Sequence, residues 1–183
     1  MLNILGRTPD HGFGEPLGLL TDCHRRIEMF LDVLLRVAGE YPDRPLDERA
    51  AEAVQTARRY FLHAAPRHTA DEEESLFPRL KAAAEARGEH CLAIERLEGD
   101  HQRADGMHAR VDELLDTWLR GGTLPPAQAS ELGSLLGMLR ELYRAHIDVE
   151  ERDVFPLAGK VLSASDLSAV GNEMRTRRGL SPE

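Results

Sequence analysis

The sequence predicts an all-α protein: an antiparallel up-down-up-down four-helix bundle followed by a short C-terminal helix. Three observations carry this. Long segments place apolar residues at steps of three and four, the periodicity of one helix face. No segment alternates with period two for long enough to make a strand. Glycine and proline clusters divide the chain into four long segments with short connections, for which an antiparallel bundle is the default packing.

The first helix carries Leu17, Leu20, His24, Ile27, Leu31, Leu34 and Ala38 on one stripe. Pro16 suits its first turn, where a missing N–H costs nothing. The stretch Gly39 to Pro45 ends it, since two prolines and a glycine cannot continue a helix. A second helix begins near Leu46, with Val54, Ala57, Phe61, Ala65, His68, Glu72 and Leu76 as its stripe, and fades between Ala83 and Gly88. Pro66 lies inside it and should kink it, by removing one backbone bond and crowding the Leu62 carbonyl. The third carries Leu97, His101, Ala104, His108, Val111, Leu115 and Trp118, and is punctuated by Gly121-Gly122 and Pro125-Pro126. The fourth carries Leu132, Leu135, Leu139, Leu142, His146, Glu150 and Val154. Ser165 is expected to cap the short last helix, whose basic end, Arg175 to Arg178, complements the negative helix terminus. The expected division is a leader at 1–14, the bundle at 15–160 and a C-terminal helix and tail at 161–183.

Composition narrows the function. With 23 basic and 32 acidic residues the net charge is -9, and no basic cluster offers a phosphate-backbone footprint, so no nucleic-acid partner is expected. No stretch reaches the roughly 20 apolar residues of a membrane span, and Met1 to Gly14 shows no apolar core flanked by positive charge. A cytoplasmic location is therefore expected. The two cysteines, Cys23 and Cys91, form no framework and are expected as free thiols. The eight histidines, several beside acids, are the unusual feature.

The chain contains a duplication. His68 to Pro78 and His146 to Pro156 both read H-x-x-x-E-E-x-x-[LV]-F-P. The preceding helices echo it: His24 corresponds to His101, Leu20 to Leu97, Arg26 to Arg103 and Glu28 to Asp105. Each half is a helical hairpin that supplies one lone histidine and one His-x-x-x-Glu. Residues four apart lie on one helix face about 6 Å from each other, so imidazole and carboxylate reach one small volume. His24, His68, His101, His146, Glu72 and Glu150 all fall on apolar stripes and point into the bundle. Uncompensated core carboxylates are very costly, so two of them among four imidazoles call for a cation. Six such donors suit octahedral metals better than tetrahedral zinc.

At these residues the chain resembles the hemerythrin-like, or HHE cation-binding, proteins, over about Pro16 to Pro156. The resemblance implies a four-helix bundle holding two iron ions, a non-haem di-iron centre bridged by an oxo or hydroxo group. It implies His24, His68, His101 and His146 as terminal ligands and Glu72 and Glu150 as bridging carboxylates. Its function would be binding of O2, NO or peroxide at an open iron position, in sensing, stress protection or iron handling. The alternatives are a di-iron enzyme turning over peroxide or NO with an unidentified redox partner, or a metal-stabilised interaction scaffold. Oxygen-carrying hemerythrins use a fifth histidine one turn after the lone histidine of the third helix. Here that position is Asp105, which leaves a vacancy on each metal.

Glu28 and Asp105 lie on the stripe flanks, as extra ligands or as partners that orient an imidazole. His108, two turns beyond His101, is expected to line the core or a pocket, with extra ligand or imidazole partner as the alternative. Glu73 and Glu151 fall on the outward face and are expected to be solvated, as is the acidic run from Asp71 to Glu74 apart from Glu72. Cys23 leaves the stripe, His63 faces away from the core, and His11 and His90 have no evident partner.

Overall fold

In the computed structural model, which describes residues 10–88 and 92–181, the stripes become helices α1 (Pro16–Glu40), α2 (Glu48–His63), α3 (Ala65–Asp71), α4 (Phe77–Glu85), α5 (Leu92–Gly121), α6 (Pro126–Val149), α7 (Phe155–Val161) and α8 (Ala164–Arg177). Among the described residues there is no strand, and no helix is long and apolar enough to cross a membrane. His90, Cys91 and the first nine residues of the leader lie outside the described residues.

Four rods form the bundle. α1 and α5 are continuous; the second rod is α2, α3 and α4 end to end, and the fourth is α6 and α7. α1 packs on α2 and α6, and α5 packs on the same two, which is the up-down-up-down arrangement. Asp47 caps α2 by accepting the Ala50 N–H at 2.8 Å. The Pro66 kink is present as a break: α2 stops at His63, and α3 restarts with the proline in its first turn.

The Phe-Pro dipeptides break the rods without ending them. Residues Glu72–Leu76 and Glu150–Val154 each form a π-turn, in which the N–H of Phe77 reaches the Glu72 carbonyl and that of Phe155 reaches the Glu150 carbonyl. Pro78 and Pro156 explain this. Neither has an N–H, and in an α-helix each ring would press on the carbonyl four residues back. A five-residue step opens the turn there. α4 and α7 then start with proline in the first turn.

The core has two apolar layers. One includes Ile27, Leu31, Leu34, Val54, Val111, Leu115, Trp118, Leu136 and Leu139. The other includes Leu20, Leu76, Phe77, Leu97, Val154, Phe155, Val170 and Met174. Between them lies a slab of buried polar side chains: His24, His68, Glu72, His101, His146 and Glu150.

α8 closes the second layer against α1, α3 and the first π-turn. Its cap is Ser163 rather than Ser165: Ser163 Oγ accepts the Asp166 N–H, and Asp166 returns a bond to the Ser163 N–H. Gly171 is required because a Cβ there would overlap the Phe13 carbonyl oxygen.

Candidate metal centre

The six predicted donors come from all four rods, His24 from the first, His68 and Glu72 from the second, His101 from the third and His146 and Glu150 from the fourth, and all six are buried. Glu72 Oε1 lies 3.3 Å from His68 Nε2 and 3.7 Å from His24 Nε2, while Glu72 Oε2 lies 3.4 Å from His101 Nε2. Glu150 Oε2 lies 3.1 Å from His24 Nε2 and 3.3 Å from His146 Nε2. The histidines pair by hairpin: His24 with His68, ring centroids 4.9 Å apart, and His101 with His146, 4.6 Å apart.

Ligand atoms of His24, His68, Glu72 and Glu150 all lie within 4.8 Å of one another, as do those of Glu72, His101 and His146. These groups could hold metal ions, and Glu72 belongs to both. Two donors each ~2.1 Å from a shared metal and at right angles are ~3 Å apart, so the observed spacings are those of a ligand shell.

The donors are also chemically unfinished. His24 Nε2, His146 Nε2 and all four oxygens of Glu72 and Glu150 are buried without a hydrogen-bond partner. Buried polar atoms are almost always satisfied, and six orphans in one slab fit a cation that the donors surround.

The electrostatics separate the histidines. Burial is the largest influence on His24 and opposes its protonation, but contacts with Glu150, Glu151 and Glu72 outweigh it and hold its pKa well above the usual value. The same balance, with Glu72 and Glu73 as partners, raises His101 to about 9. Burial wins at His68 and lowers it to about 4. Burial also opposes ionisation of Glu72, but His68, His101 and His24 together hold its carboxyl well below the usual range. In the metal-free slab His24 and His101 thus supply the positive charge that offsets the carboxylates, a charge that a bound cation would replace.

The structure corrects the outward assignment of Glu73 and Glu151. Glu73 Oε1 lies 2.8 Å from His101 Nδ1, and Glu151 Oε1 lies 3.0 Å from His24 Nδ1. Each motif's second glutamate therefore reaches across to the lone histidine of the other hairpin. These bonds fix which ring nitrogen faces the slab, since the Nδ1 proton is held by the outer carboxylate and Nε2 is left as donor. The π-turn is the reason. One more residue per turn shrinks the angle between successive side chains, so both glutamates of each pair reach histidines. The signal was the Glu-Glu doublet followed by Pro in both copies.

Asp71 is also not solvated. It is fully buried and bonds Arg177 and Arg178 at the end of α8, so those arginines serve a side chain rather than only the helix terminus. Asp100, which the periodicity does not mark, is buried with Oδ2 3.6 Å from His146 Nδ1, and it pairs with Arg103. Cys23 is buried rather than turned out, and burial raises its thiol pKa. His11 has a partner, Asp22, at 3.1 Å. His63 is exposed, as expected.

Glu28 and Asp105 are exposed, and neither belongs to the donor groups. His108 lies outside them too: its Nε2 is 2.9 Å from Tyr143 Oη, its ring stacks on Phe61 at 4.8 Å, and burial lowers its pKa to about 4.

Residues 15–158 match the family model described as the hemerythrin HHE cation binding domain. The chain belongs to that family. It is also similar to a protein of Haemophilus influenzae described as uncharacterized, at 26% identity over 172 residues that cover 91% of each chain. Membership in the HHE family and the buried His/Glu groups agree on a helical, cation-binding protein, with iron the usual cation of this domain.

Proposed function

We propose that this HHE-domain chain is a non-haem di-iron protein that binds O2, NO or peroxide, in sensing, stress protection or iron handling. In this reading His24, His68, His101 and His146 are terminal ligands, and Glu72 and Glu150 bridge the two irons. The observation that carries it is Glu72: its two carboxylate oxygens address different histidine pairs, at 3.3 Å to His68 and 3.4 Å to His101. A carboxylate serving one ion would not need to span both pairs.

Bound iron would supply reversible one-electron chemistry and coordination positions for a small ligand. The chain supplies the rest. Four imidazole nitrogens and four carboxylate oxygens make eight donors, four per metal, fewer than an octahedral ion accepts. Asp105 is exposed, so it does not fill the gap. Glu73 and Glu151 orient His101 and His24. The two apolar layers shield the slab from water, which favours a small neutral ligand over a hydrated ion.

The test is anaerobic titration of reduced, iron-loaded protein with NO, with a second sample exposed to air. A new NO-dependent spectrum and oxidation in air support the reading. No response to NO, together with a long-lived oxygenated species, would contradict the open position. Sustained consumption of peroxide or NO with an electron donor would move the assignment from ligand binding to catalysis.

A further inference from the structure

The two copies of the motif are alike in ligands but not in support. Around the first π-turn, Asp71, Glu74 and Ser75 all bond the end of α8. Arg177 Nη1 donates to Asp71 Oδ1 at 2.9 Å, its Nη2 to Ser75 Oγ at 2.7 Å, and its Nε to Glu74 Oε2 at 3.1 Å. Arg178 donates to both Asp71 oxygens, at 3.2 and 2.7 Å. Asp71 is fully buried and directly precedes Glu72, and the three bonded residues bracket Glu72 and Glu73.

At the second π-turn the corresponding positions are Val149, Arg152 and Asp153. The Val149 side chain cannot accept a hydrogen bond, and Arg152 pairs on the surface with Asp148, within its own rod. The repeat therefore predicts no equal clamp on Glu150. α8 is in turn held from the other side: Gly171 abuts the Phe13 carbonyl, and the Arg175 and Arg178 guanidinium groups lie 5.4 and 5.7 Å from the Phe13 ring. A continuous path of contacts runs from the leader through α8 to the backbone that carries Glu72.

We propose that α8 is a positioning element of the metal centre, acting through Asp71 on the π-turn that presents Glu72. It rests on the reading of Glu72 as a ligand. Two clamped guanidinium groups on one buried carboxylate fix the turn in the conformation in which Glu72 faces both histidine pairs. Loosening the clamp raises the rate at which the centre releases its metal, with the ligands themselves intact.

The experiment uses the full chain with Asp71→Asn, which is isosteric, and the double variant Arg177→Ala/Arg178→Ala. Arg58→Ala is the control, since it breaks a comparable ion pair with Asp112 and Asp116 away from the π-turns. Two readouts are taken: amide hydrogen exchange over 72–77 and 150–155 in metal-free protein, and release of Co(II) to a chelator. The clamp predicts faster exchange in 72–77 than in 150–155 for both variants. It also predicts Co(II) release about tenfold faster or more, with no change for Arg58→Ala. Arg178→Lys, which keeps a cation on Asp71, should recover part of the loss. Unchanged exchange at 72–77, or equal acceleration in both π-turns, would overturn the proposal. If wild-type protein takes up no Co(II), the ligand reading fails, and the exchange contrast still decides whether the clamp exists.

Discussion

Replacing Glu151 with alanine should weaken metal binding although the residue belongs to neither donor group. Glu151 Oε1 lies 3.0 Å from Nδ1 of a fully buried histidine, His24. Removing it leaves a buried N–H unpaired, at a cost of about 1–3 kcal/mol, and frees the imidazole to turn or change tautomer. Loss of such outer partners typically costs ~10–100-fold in metal affinity, or about 1.4–2.7 kcal/mol. The pair with Arg25 adds little, because that arginine is 59% exposed. Glu151→Gln should keep most of the affinity, since its amide oxygen still accepts from Nδ1. The assay is anaerobic competition for Co(II) against a chelator of known affinity, with folding checked by circular dichroism. An affinity for Glu151→Ala within twofold of wild type would refute the account of how His24 is oriented.

Three further outcomes follow from the same geometry. Glu72→Gln should abolish loading of at least one metal and lower the thermal stability of the metal-free protein near neutral pH, because the amide loses the attraction of His24 and His101 that holds the carboxyl ionised; scanning calorimetry of metal-free samples checks this. Asp105→Ala should leave metal content and azide affinity unchanged, since the side chain is exposed; an opened or emptied site would show that it ligates. His108 has a folded pKa of about 4, below its ordinary 6.5, so the unfolded chain binds more protons between these values. Stability should therefore fall as pH drops from 6.5 towards 4, and His108→Gln should remove roughly 1–2 kcal/mol of that loss in denaturant titrations, a partial value because the ring is only partly buried.

The bundle and the six inward donors were legible because both rest on period. His24 and His101 sit on stripes of constant step, and the duplication marks His68, Glu72, His146 and Glu150 twice. Glu73 and Glu151 were misplaced for a physical reason: the π-turn abandons the 100° step on which facing is judged. Pro78 and Pro156 hold the clue, yet proline in a helix reads first as an end or a kink. Asp71 and Asp100 were hidden differently. Their burial depends on arginines, and Arg177 and Arg178 lie over a hundred residues from Asp71, a pairing that no local pattern encodes.

The most direct measurement of the central claim is the number of metals per chain. Metal-free protein titrated anaerobically with Fe(II), with bound iron counted against protein, should saturate at two irons per chain. Glu72→Ala and Glu150→Ala should each reduce that number, because each carboxylate faces more than one histidine. Saturation at one ion, or one zinc and no iron in protein grown with ample iron, would contradict a centre shared through Glu72.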